Sequence, residues 1–152
     1  MIRPITAADR AVYLEMAHAF YQSDAVDHPI PDTHLERTFD LLMAGSPYAA
    51  CYLFEEAGTV QGYALLANTW SQEAGGLTVW LEELYVREAF RGRGLGQAFF
   101  AFLKETLHPA RFRLETEPHN ERAKALYRRQ GFVPLDYEPF ILDIPIDDSC
   151  KK

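Results

Sequence analysis

Two short stretches hold residues whose types and spacing could do chemistry. The first is Arg91-Gly92-Arg93-Gly94-Leu95-Gly96, set between an apolar run and a segment of helical periodicity. Its glycines leave backbone N–H groups unobstructed, and where such a turn opens a helix an anion can rest against the positive end. Arg87, Arg91 and Arg93 put cationic side chains around the same turn. The pattern predicts a phosphate-binding turn; a plain tight turn with solvated arginines is the alternative. Two other phosphate-binding patterns fail on residues. A Walker A loop ends in Gly-Lys-Ser/Thr, whereas Gln97 follows Gly96. A dinucleotide fingerprint has its third glycine where Gln97 stands. Glu115 falls near the distance of a ribose-binding acid, but too few strand–helix–strand units follow to complete that kind of domain.

The second stretch is LTVWLEELYV, Leu77 to Val86. Val79 and Leu81 would share one face of a strand, and so would Leu84 and Val86, but the two pairs are out of phase across Glu82-Glu83. One extra residue in a β-bulge restores the register. A bulge also interrupts pairing, which leaves N–H groups near Tyr85 free to polarise a ligand oxygen. Glu82 and Glu83 stand among Trp80, Leu81, Leu84 and Tyr85. A partly desolvated carboxylate holds its proton more tightly, which suits a general base. For each, a solvated place on an open sheet face is the alternative without function.

Several elements must position these stretches. Met1 to Ile5 reads as a short strand, and a helix follows with Thr6 as its cap and Val12, Met16, Ala17 and Phe20 at helical spacing. A loop rich in aspartate and proline leads to a second helix from about Asp32 to Met43, with Leu35, Phe39 and Leu42 along one side. YAACYLFEE and VQGYALLANTW, joined by a tight turn, predict an antiparallel hairpin. After the glycine-rich turn, Leu95, Phe99, Phe102 and Leu103 mark the buried side of a helix that Pro109 stops. RFRLET is a short strand, and Asn120 opens a last helix closed by Gly131. FVPLDY and FILDI supply two more strand candidates. The order β-αα-β-β-β-α-β-α-β-β describes one mixed α/β domain with a strand–helix–strand crossover in its second half.

Taken together, these features resemble the GCN5-related N-acetyltransferase family. Its motif [RQ]-x-x-G-x-[GA] stands as Arg91 to Gly96, and its asparagine-led helix ending in Gly-Phe matches Asn120, Ala123, Leu126, Tyr127, Gly131 and Phe132. LEELYV is similar to the diamine and polyamine acetyltransferase branch, and IRPITAAD resembles the family's usual start. The resemblance implies a single α/β domain over residues 1–146 with a polar tail at 147–152. Its sheet would be mixed and mostly antiparallel, with a V-shaped splay between two central parallel strands. It implies acetyl-CoA as cofactor, its pyrophosphate on Arg91, Gly92, Arg93, Gly94, Leu95 and Gly96. The pantetheine arm would run along Leu84, Tyr85 and Val86, held by Asn120. Tyr127 would protonate the departing thiolate, and Glu82 would be the base.

An alkyl ammonium with a pKa near ~10 must lose a proton before it can attack, so such a site needs a base. Cys51 lies in an apolar run and Cys150 in the polar tail, and neither matches a covalent acyl carrier. Direct attack within a ternary complex is therefore expected. Tyr21, Asp24, Asp27 and His28, with Glu82 and Glu83, are the candidate acceptor residues, and their carboxylates would suit a small amine with a second positive charge. A peptide amine, an aminoglycoside, or a non-catalytic acyl-CoA-binding module are the alternatives. The net charge of -7 opposes binding to a phosphate backbone. Neither a zinc motif nor a run of eighteen apolar residues occurs. The expectation is thus a cytoplasmic enzyme acting on a small-molecule amine, without metal, nucleic acid or membrane, and a homodimer as the default oligomer.

Overall fold

The computed structural model describes residues 1–23, 26, 28–144 and 146. Five strands form one sheet in the order β1-β2-β3-β4-β5: β1 Ile2–Pro4, β2 Ala49–Glu56, β3 Thr59–Ser71, β4 Gly76–Val86 and β5 Arg111–Leu114. The first four pair antiparallel in succession, and β5 lies parallel to β4. Four helices cover the sheet: α1 Arg10–Tyr21, α2 Asp32–Met43, α3 Leu95–Thr106 and α4 Glu121–Arg129.

Alternation along the strands divides the core in two. Cys51, Leu53, Tyr63 and Leu65 face α1 and α2, where Tyr13, Met16, Ala17, Leu35 and Phe39 are buried against them. Phe54, Ala64, Leu66, Val79 and Leu81 face the other way and pack on Phe99, Phe100 and Leu103 of α3. Each face of the sheet therefore removes a full row of apolar side chains from water, the arrangement that the interleaved helices and strands call for.

Local chemistry sets the turns. A short 3₁₀ turn, Ala7–Asp9, leads into α1, and the Asp9 carboxylate reaches back to accept from the Thr6 amide at 2.8 Å and the Thr6 hydroxyl at 2.7 Å. Arg3 donates two further bonds to Asp9, at 2.8 and 2.9 Å, and one to Glu55 at 2.6 Å. The β2–β3 hairpin closes on Ala57 and Gly58, whose φ angles of 49° and 77° are the positive pair that a two-residue turn in a twisted sheet requires.

Two features position the site. β4 and β5 are paired only from Thr78 opposite Arg111 to Leu81 opposite Leu114. Beyond that point β4 runs on to Val86 while β5 ends, so the two parallel strands part. The second is the β4–β3 register, in which Leu81 faces Leu66 and Glu83 faces Leu65, so Glu82 is the extra residue of a bulge. The slip in alternation located it.

The two strands expected at FVPLDY and FILDI are not there: residues 133–144 contain no strand, and β5 is the outer strand among the described residues. A strand exists only through its partners, and Pro134 and Pro139 each remove a backbone donor from the ladder such a strand would need. The expected tail, 147–152, lies outside the described residues.

Candidate active site

Consecutive residues of a regular strand point to opposite faces. The bulge breaks that rule at Glu82. Leu81 and Leu84 face α3, whereas Glu83 joins the α1 side, where Tyr21 and Tyr63 bind it. Glu82 lines a groove with Trp80, Thr78 and Thr69 on that same side. One extra residue thus sets two carboxylates next to each other on one face.

Their surroundings divide their properties. Glu83 is buried, and each of its oxygens accepts a tyrosine hydroxyl, Tyr21 at 2.7 Å and Tyr63 at 2.5 Å. The Tyr63 ring is in turn fixed by an edge contact with Tyr13 and a tilted one with Tyr85. Burial pushes the proton affinity of Glu83 up, opposed by the two hydroxyl bonds and aided by the neighbouring Glu82. Glu82 is exposed at the groove, and its pKa is also raised, first by partial desolvation and then by the charge of Glu115. A carboxylate with raised proton affinity that solvent and small molecules can reach has the properties of a general base. Glu83 instead braces the bulge from within.

The glycine-rich turn lies just past the end of β4. Gly92 and Gly94 have φ of +79° and +80°, and a Cβ on either would meet nothing within 4 Å. Glycine is needed there for backbone conformation, which leaves the concave side open. Gly94 is the N-cap of α3, and Ala98 is bonded to its carbonyl at 2.9 Å. The amides of Leu95, Gly96 and Gln97 therefore precede the first intrahelical bond and face outward at the positive end of the helix. Gly96 is glycine for a different reason, since a Cβ would come within 2.9 Å of Leu126 on α4. Arg91 folds back onto the Val86 carbonyl at 2.9 Å and Arg93 onto that of Ala89 at 3.0 Å. Arg87 turns away from the turn to meet Glu15 on α1 at 3.1 Å.

From Glu82 to Val86 the edge of β4 that faces β5 has no strand opposite it. Leu84 and Val86 project from this segment toward the α3 side, and Tyr85 toward α1. Across the opening, Asn120 caps α4 by accepting from the Ala123 amide at 3.1 Å, which leaves its side-chain NH2 to donate elsewhere. Tyr127 is wedged between the rings of Phe100 and Phe132. Burial raises its pKa, and no described residue takes its hydroxyl, so the phenol keeps its proton available for donation.

Of the expected acceptor residues, Tyr21 is committed to Glu83 and His28 is exposed on the loop after α1. Asp24 and Asp27 lie outside the described residues. Sequence reasoning missed Tyr63, the second hydroxyl on Glu83, and Arg113, which stacks on Trp80 beside Glu82. The alternation of RFRL did carry a signal for Arg113, because its register opposite Trp80 follows once β5 is paired parallel to β4. Among the described residues no cluster of His, Cys, Asp and Glu could hold a metal, and no helix is long and apolar enough to cross a membrane.

Known proteins share this architecture. An uncharacterized N-acetyltransferase in the pepI 3' region of Lactobacillus delbrueckii subsp. lactis is 30% identical over 116 residues, spanning 70% of this chain and 66% of its own length. A possible acetyltransferase from Clostridium difficile 630 superposes with a TM-score of 0.82 at 17% identity, over 96% of this chain and 98% of its own. An aminoglycoside N-acetyltransferase in complex with CoA superposes with a TM-score of 0.77 at 15% identity, over 94% of this chain and 93% of its own. At those identities the two structures speak for the fold. Residues 13–132, which run from α1 to the end of the second motif, match the acetyltransferase (GNAT) family, and the chain belongs to it.

Proposed function

We propose that the protein transfers the acetyl group of acetyl-CoA to the primary amine of a small acceptor by direct attack, with both molecules bound together. The observation that carries this reading is the opening beside β4, where an unpaired strand edge runs from the bulged Glu82 to the glycine-rich turn. Acetyl-CoA supplies an acetyl carbon already activated as a thioester. The residues fit that molecule: the open backbone of Arg91 to Gly96 and the first amides of α3 would take its pyrophosphate. The free edge at Leu84, Tyr85 and Val86 would take its pantetheine arm, with the Asn120 amide as a further donor.

Glu82 then has the part of the base. It is reachable and has raised proton affinity, so it takes the proton of an incoming ammonium, directly or through water. The unpaired amides near Tyr85 would stabilise negative charge on the carbonyl oxygen. Tyr127 Oη donates a proton to the leaving sulfur. Cys51 is buried and burial pushes its thiol pKa up, which makes it a poor nucleophile and favours direct transfer over a covalent acyl-enzyme.

The acceptor reading starts from charge. Glu83 commits both oxygens to tyrosines, so Glu82, with Glu115 beside it, is what attracts a cationic amine. Diamines and polyamines, peptide amines and aminoglycosides are the classes to compare. The same reading takes the enzyme as a cytoplasmic homodimer comprising residues 1–146 as one domain. The run Phe140, Ile141 and Leu142, each at least 86% exposed, favours a partner surface.

A thiol-release assay with acetyl-CoA against those amines tests the proposal. We expect release that depends on the amine and falls about 100-fold or more in Glu82→Gln. Binding of acetyl-CoA without release to any amine would instead point to a non-catalytic acyl-CoA-binding module.

A further inference from the structure

The groove next to Glu82 is built for more than an amine. It has a volume of about 370 Å³, and Thr69, Thr78, Trp80, Glu82 and Arg113 line it from the side of the sheet that also carries Glu83. Arg113 is half-buried there, with its guanidinium 4.2 Å from the centre of the Trp80 ring. The ring itself is held by its Nε1, which donates to Thr69 Oγ1 at 3.2 Å. Three other arginines on the sheet and its ends, Arg3, Arg87 and Arg111, each meet a carboxylate. Arg113 has no carboxylate and no hydrogen-bond acceptor among the described residues, although it is pre-oriented by the stack. Thr78 Oγ1, on the groove's floor, is likewise buried without a partner.

A planar guanidinium held over an aromatic ring presents its fork of donors in a restricted direction, and that fork matches a carboxylate. Among the described residues nothing fills that fork, and it opens on the groove, so a ligand carboxylate is the natural complement. We propose that the acceptor is a small zwitterion, an amine that also bears a carboxylate, with the carboxylate on Arg113 and the amine at Glu82. This rests on the acyl-transfer reading above and names its substrate class. Arg113 lies opposite Trp80 in the parallel register, and Glu82 lies two residues along the same face. From strand spacings, the two backbone positions are about 8 Å apart. That separation and the groove's volume suit a free amino acid or a molecule of similar size, and an extended polymer would have to leave the groove. The transfer is balanced: the new N–C bond replaces the C–S bond, one ammonium proton goes to Glu82, Tyr127 protonates the departing sulfur, and the second nitrogen proton, lost as the amide forms, restores the phenol.

The experiment compares free amino acids with their carboxamides, which keep the amine and lose the anion, as acceptors for the wild type, Arg113→Gln and Arg113→Lys. The wild type should favour the acids by about tenfold or more in kcat/KM, through KM. Arg113→Gln should abolish that preference by raising KM for the acids far more than for the carboxamides, and Arg113→Lys should restore part of it. Matched melting curves and acetyl-CoA affinities establish that the variants are folded. Equal use of acids and carboxamides by the wild type, or equal loss of both in Arg113→Gln, overturns the assignment while acyl transfer stands. No thiol release with any acceptor, despite acetyl-CoA binding, overturns the transfer reading and this inference together.

Discussion

Glu82 and Glu83 are neighbours in sequence and opposites in circumstance. Partial desolvation and the nearby Glu115 raise the proton affinity of Glu82, so it is active as a base only above a pKa higher than the ordinary glutamate value of about 4.3. The acidic limb of kcat/KM should therefore sit above that value, vanish in Glu82→Gln, and move to lower pH in Glu115→Gln; a limb unmoved by either substitution would remove Glu82 from the role. Glu83 affects stability instead. Its folded pKa is raised, so the folded state gains relative to the unfolded one below the unfolded pKa, and that gain is lost as pH rises through the folded pKa. Melting temperature in Glu83→Gln should accordingly lose part of the decline that the wild type shows over the pH range just above about 4.3. The sequence displayed two carboxylates in an apolar strand, yet it did not assign them. Their division depends on Tyr21 and Tyr63, which come from elements far apart in the chain and meet Glu83 only once the fold is complete.

At the scale of elements, the second half of the chain was the more legible. The alternation slip in LTVWLEELYV located the bulge, because a period of two allows only one way for Val79 and Leu84 to share a face. The glycine-rich turn and Asn120 marked the starts of α3 and α4, where orphan amides favour such residues. The two C-terminal strands were over-read, since apolar content resembles a strand even where prolines deny it a partner. Asn120 carries a test that separates structure from ligand. Asn120→Ala loses the cap bond and should cost about 1 kcal/mol of stability. Asn120→Asp keeps an oxygen for the Ala123 amide but has no NH2, so it should hold its melting temperature while weakening acetyl-CoA binding. Equal affinity in Asn120→Asp and the wild type would restrict the asparagine to capping. In the same way, Tyr127→Phe should slow turnover more than it weakens acetyl-CoA binding, since only the hydroxyl is lost and the ring contacts with Phe100 and Phe132 survive.

The whole molecule is a sheet filled on both faces, with an opening where its two parallel strands part. α1 and α2 close one face over the tyrosines that hold Glu83, and α3 and α4 close the other and aim the glycine-rich turn. The N-terminal strand is tied in through Arg3, Asp9 and Glu55, and hydrogen bonds from Arg3 and Thr6 hold the Asp9 carboxyl well below the usual range. That contribution is present above the unfolded aspartate pKa and is lost as pH falls below it, so Arg3→Ala should lower stability at neutral pH by about 1–3 kcal/mol and narrow the gap in acid. If the exposed apolar run at Phe140 to Leu142 meets a second copy, sedimentation should give a dimer mass, and a monomer at all concentrations would refute the homodimer. A crystal structure with coenzyme A would show what the opening holds. The diphosphate should be bonded to backbone amides between Arg91 and Gln97, with the sulfur beside the unpaired edge at Leu84 to Val86; phosphates seated anywhere else would rule out the glycine-rich turn as the cofactor site.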